Sequence, residues 1–84
     1  MRYLLKLTNP KGCVRHWCFE AVHLTRAKQH AAELGRPAES FLGMCLWELF
    51  SVSHAGKLTR VSWRIGSGSK AAWIPNHRGK RIEK

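Results

Sequence analysis

Arg2-Tyr3-Leu4-Leu5-Lys6-Leu7-Thr8 is followed by Asn9-Pro10-Lys11-Gly12, and then by Cys13-Val14-Arg15-His16-Trp17-Cys18-Phe19-Glu20-Ala21. Successive side chains of an extended chain leave opposite faces. Tyr3, Leu5 and Leu7 therefore point one way, and Arg2, Leu4, Lys6 and Thr8 the other. Pro10 fixes its φ and Gly12 accepts a positive one, which is turn chemistry. In the run from about Cys13 to Ala21, Trp17, Phe19 and Ala21 share one face. The stretch predicts a β-hairpin, and the rest of the fold is read outward from it.

Downstream, Thr25 is a suitable N-cap for a helix over Arg26 to Leu34, with Gly35 as its stop and Pro37 blocking continuation. Ala27, Ala31 and Leu34 fall on one helical stripe, small enough to lie close to a sheet. Arg26, Lys28, Gln29, His30 and Glu33 are expected to face water. Met44 to Val52 fits two patterns. As a strand it puts Cys45, Trp47 and Leu49 on one side and Met44, Leu46 and Phe50 on the other; as a helix it repeats Phe41, Cys45 and Leu49 at four-residue spacing. Gly43 weakens the helix by about 1 kcal/mol, which favours a central strand. Ser53 to Lys57 reads as a hairpin loop. In Leu58 to Ile65, Val61, Trp63 and Ile65 alternate with Arg60, Ser62 and Arg64, and the apolar set is expected to face the core. Gly66 to Ser69 reads as a turn, and Ala71 to Ile74 as a short last strand that Pro75 ends at a sheet edge.

The expected fold class is α+β: β-β-α-β-β-β, an antiparallel sheet with one helix packed on one face. Residues 1–75 form a single domain on this reading, and 76–84 a flexible basic C-terminal tail. The length allows one domain. Four Trp, three Phe and one Tyr in 84 residues supply large apolar groups for its core.

Charge narrows the function. The chain carries 15 Lys and Arg against five Glu and no Asp, a formal net charge of +10. Such an excess repels itself and suits a polyanionic partner: nucleic acid, a nucleoprotein complex or an acidic protein surface. With Trp63 turned inward, Arg60 and Arg64 share the open face of the sheet, joined by Arg2 and Lys6 and flanked by His16. The tail adds Arg78, Lys80, Arg81 and Lys84. Trp73 has two readings, a stacking or anchoring group at the sheet edge and a core residue, of which the second is favoured.

Other chemistries are poorly supported. Cys13 and Cys18 have opposite parity in a strand, so they share neither a metal nor a disulfide; Cys45 stands apart, and no pair at zinc-finger spacing occurs. The histidines show no metal-pair spacing. No nucleophile elbow, P-loop or dinucleotide fingerprint is present. The expectation is a protein that is not an enzyme, with no catalytic residue, cofactor, metal or small-molecule substrate. Lys6 interrupts the N-terminal apolar run, so a signal peptide is not expected. No run approaches the ~20 apolar residues of a membrane span. A cytoplasmic location with reduced thiols follows.

The stretch Phe19-Glu20-Ala21-Val22-His23-Leu24-Thr25-Arg26-Ala27-Lys28-Gln29-His30-Ala31-Ala32, with the order of elements around it, resembles small bacteriophage-encoded inhibitors of host machinery, notably some anti-CRISPR proteins. A small phage inhibitor of host RNA polymerase is similar too. In such proteins a strand ending in Ala runs into a short Leu-Ser/Thr…Ala-Lys…Ala helix, then a Gly-led strand and a hairpin. The resemblance covers residues 2 to 75 in element order and the helix segment in residue detail. It implies binding without catalysis, in the cytoplasm of a bacterial host, and transfers no individual site residue. Several of these proteins are acidic DNA mimics; this basic chain departs from them there. The expected function is inhibition of a host protein or nucleoprotein complex, such as a CRISPR surveillance complex, by occupancy. The alternative is a stand-alone DNA- or RNA-binding protein.

Overall fold

The structure, a computed structural model, describes residues 1–66 and 73–75. Its elements are β1 (Arg2–Thr8), β2 (Val14–Glu20), α1 (Leu24–Leu42), β3 (Leu46–Val52), β4 (Leu58–Ile65) and β5 (Ile74–Pro75). They form one antiparallel sheet in the order β2-β1-β3-β4-β5, with the helix on one face. The α+β class and the helix-on-sheet arrangement agree with the sequence. Ala71 and Ala72 of the expected last strand, most of the turn before it and the whole basic tail lie outside the described residues.

The hairpin forms where the alternation places it. Tyr3, Leu5 and Leu7 are buried, with Trp17 and Phe19 packed beside them. Asn9 fastens the turn. Its Oδ1 accepts the backbone N–H of Lys11 (3.1 Å) and of Cys13 (2.8 Å), and its Nδ2 donates to the Leu42 carbonyl (3.2 Å), tying the turn to the end of the helix. Residues 46–52 are a strand, with Trp47 and Leu49 fully buried in the middle of the sheet.

The helix departs from expectation at both ends. Its N-cap is His23 rather than Thr25: the ring Nδ1 accepts the Arg26 N–H at 3.4 Å. It does not stop at Gly35 but runs through Gly35 and Pro37 to Leu42. Gly35 serves close packing instead. A Cβ there would lie 2.5 Å from Cη2 of the buried Trp47 ring. Pro37 lacks the N–H that would bond the Glu33 carbonyl, a defect worth about 3 kcal/mol in a helix interior. The turn beyond it offsets that cost. Ala38 and Leu42 pack on the core, and Glu39 Oε2 accepts from the Cys45 N–H (2.9 Å) and from Trp47 Nε1 (3.0 Å). Gly43, at φ 86°, is the true stop, its N–H bonded to the Glu39 carbonyl at 2.8 Å.

Candidate functional site

β4 carries the largest difference from the sequence reading. Leu49 pairs with Ser62 and Phe50 with Arg60, so Val61 is an extra residue, a β-bulge. A bulge breaks strict alternation. Val61 and Ser62 both lie on the helix side, Val61 packed against the core and Ser62 fully buried. Beyond the bulge the parity is the reverse of that expected: Arg64 turns inward and Trp63 outward. Ser62 tolerates burial because its hydroxyl donates to the Ile74 carbonyl at 3.0 Å.

Arg64 is therefore not on the open face. It is 7% exposed. Its guanidinium carbon lies 5.3 Å from the ring centroids of both Trp47 and Trp73, and its Nε donates to the Gly66 carbonyl at 3.0 Å. The two indoles meet edge-on, 6.1 Å apart at 81°, which gives Trp73 the core role favoured from sequence. A planar guanidinium suits this stacked position as an ammonium would not. Burial, followed by the charge of Arg36, lowers the Arg64 pKa from its ordinary value, and Glu39 acts in the opposite sense. Arg64 is a structural residue, and the expected Arg60–Arg64 pair does not exist as a shared surface.

What the open face displays instead follows from the register. Across the middle of the sheet, Cys18, Leu4, Phe50 and Arg60 form one row, and His16, Lys6, Glu48 and Trp63 the next. Arg2 lies one row beyond, opposite Glu20. Three of the sequence-selected cations, Arg2, Lys6 and Arg60, are thus brought to one face, with His16 among them. Two aromatic rings join them on neighbouring strands one row apart: Phe50, which strand alternation already sets opposite Trp47 and Leu49, and Trp63, which was expected to turn inward. Both are half-buried, and neither packs against the core. For Trp63 the bulge was the missing signal, and nothing in the residue pattern of β4 announces it.

The carboxylates on this face are each set against a cation. Arg60 Nη1 lies 3.0 Å from Glu48 Oε2, with Lys6 opposite Glu48 in the register. The pairing orients Arg60 across the sheet surface beside the two rings. It leaves an aromatic and aliphatic centre, Leu4, Phe50 and Trp63, interleaved with cations. Among the described residues no group of three or more His, Cys, Asp or Glu is placed to hold a metal, and none of the cysteines is in a disulfide; Cys13 and Cys18 are exposed and Cys45 is buried. No helix of the described residues is long and apolar enough to cross a membrane.

Comparison with protein-family models, with curated proteins and with solved structures returns no match. The functional reading rests on the chain's own residues.

Proposed function

We propose that the chain is a small, non-catalytic binding protein that occupies nucleic acid, either free or displayed by a nucleoprotein complex, through the open face of its sheet. The observation that carries this is the placement of Phe50 and Trp63 beside Arg60, Lys6 and Arg2 on a face that the helix leaves uncovered. Aromatic rings meet bases and cations meet phosphates, and a chain at +10 attracts a polyanion. Blocking by occupancy fits the resemblance to phage inhibitors of host machinery, whose targets include nucleoprotein complexes in the bacterial cytoplasm. Arg78, Lys80, Arg81 and Lys84 are assigned a supporting role in phosphate contact.

A second reading, engagement of the protein part of a host complex, is favoured by one observation. At one end of the same sheet Leu46 and Ile65 border an apolar groove with Met44, and Ile65 and Met44 are 59% and 66% exposed. Apolar contacts of that kind form the desolvated centre of protein interfaces.

The test is fluorescence anisotropy of labelled oligonucleotides titrated with the protein at salt concentrations from about 50 to 200 mM. The proposal expects binding that weakens with salt, and weakens further when Arg2 and Lys6 are both changed to Glu. No binding at the lowest salt, together with stable co-elution of the protein with a host complex stripped of nucleic acid, would replace it with the second reading.

A further inference from the structure

We infer that the ligand of the open sheet face is an unpaired strand, read by stacking of successive bases on Phe50 and Trp63, rather than a duplex; this rests on the nucleic-acid reading above. The difference lies in what the face offers. A duplex hides its bases in the stack and presents phosphates to a basic surface and groove edges to an inserted helix or ribbon. Among the described residues this face carries no projecting helix or ribbon. Phe50 and Trp63 lie within the rows of the sheet, flanked by Leu4 on β1 and by the Arg60–Glu48 pair. Two rings one row apart on such a surface offer stacking partners to bases that are free of their neighbours.

The charge pattern agrees. A duplex binder gains its affinity from unpaired cations along two phosphate strands. Here Arg60 is committed to Glu48, and the register sets Lys6 against the same carboxylate and Arg2 against Glu20. On this face carboxylates are thus interspersed with the cations beside the rings. A single backbone passing over the rings needs a few contacts at their margin, which Arg2, Lys6 and Arg60 provide. The guanidinium of Arg60, held across the sheet one row from Trp63, is placed to flank a base stacked on that ring.

The bulge at Val61 makes this possible. Without it, alternation carries Trp63 under the helix and Arg64 outward, and the face becomes a basic patch of the kind a duplex prefers. With it, the second ring arrives beside Phe50.

Three labelled probes separate the alternatives: a mixed-sequence DNA single strand of about twelve nucleotides, the same sequence as RNA, and the DNA duplex. Each is titrated against the full chain and against Phe50→Leu and Trp63→Leu, which keep apolar bulk and remove the π-face. Circular dichroism melting verifies that each variant folds. A separate Lys6→Ala variant reports on charge alone. The expected result is single-strand binding weakened about five- to one-hundred-fold by Trp63→Leu, with duplex binding changed less than about twofold. Lys6→Ala is expected to weaken all three probes by similar factors, because a phosphate contact does not distinguish base from base. The two single-stranded probes show whether DNA or RNA is preferred, and preference for either over the duplex supports the inference. Equal binding of single strand and duplex, with neither aromatic variant altering it, overturns the stacking inference and leaves the nucleic-acid reading standing. Failure of every probe to bind overturns both.

Discussion

Arg60 and Arg64 stand four residues apart on one strand and do opposite things. Arg60 is 39% exposed at its side chain and lies across the open face, paired to Glu48. Arg64 is enclosed by Trp47 and Trp73 beneath the helix. One extra residue, Val61, separates the two roles. The two faces of the sheet differ in the same way. The helix side is saturated: aliphatic chains and indoles fill it, and its polar groups, Ser62, Arg64 and Glu39, each have a partner. The open side carries rings and aliphatic chains with nothing packed over them among the described residues. A charge count treats both arginines as surface cations. The fold makes one a strut and the other a contact group.

The largest effect expected from this contrast is on stability. Arg64→Glu places a carboxylate between two indoles and close to Glu39, and removing the guanidinium alone breaks its stacking and its bond to Gly66. A loss of about 3–5 kcal/mol is expected, as for other buried charges stripped of their setting. Arg60→Glu, on the open face, is expected to cost less, about 1–2 kcal/mol, although it sets a like charge beside Glu48. Urea unfolding of the two variants measures both. Similar losses in the two would show that β4 has no inversion at the bulge.

A smaller effect tests the close approach of helix and sheet. Gly35→Ala gains about 1 kcal/mol in helix propensity, but its Cβ would meet the ring of a fully buried Trp47 at 2.5 Å. Overpacking of that kind costs about 1–3 kcal/mol. Thermal melting is expected to show net destabilisation; a stabilised variant would mean that Gly35 lies near the end of a shorter helix, as its sequence context suggests.

The smallest effect is kinetic. Burial, and secondarily the Glu39 carboxylate, push the Cys45 thiol up. Less thiolate forms at a given pH, so alkylation is slower. Mass spectrometry of the native protein with iodoacetamide should show Cys13 and Cys18 modified first, and Cys45 only after denaturant is added. Early modification of Cys45 would place it outside the core.

Much of the fold was legible in the residues, for identifiable reasons. The hairpin declares itself because period-two alternation in β1 and β2 brackets a Pro-Lys-Gly turn. β3 is recognised because Cys45, Trp47 and Leu49 need one buried face and Gly43 disfavours a helix through the segment. The helix end was misread because Gly35 and Pro37 carry strong local stop signals. Tertiary contacts override them: the Trp47 ring needs a residue without a side chain at Gly35, and the bonds of Glu39 hold the turn after Pro37. The face of β4 was misread because periodicity assumes unbroken pairing. Of the site, Arg2, Lys6, Arg60 and Phe50 follow from parity, whereas Trp63 became visible only once the bulge set the register.

The central claim, that the open face with Phe50 and Trp63 is where this chain meets its partner, is tested most directly by hydroxyl-radical footprinting with and without a single-stranded oligonucleotide. Phe50 and Trp63 are expected to lose reactivity when the oligonucleotide is added. Val22 and Phe41, which are 82% and 90% exposed near the two ends of the helix, are expected to keep theirs. Protection of Val22 or Phe41 with Trp63 unchanged would contradict the account and move the binding surface to the helix side of the molecule.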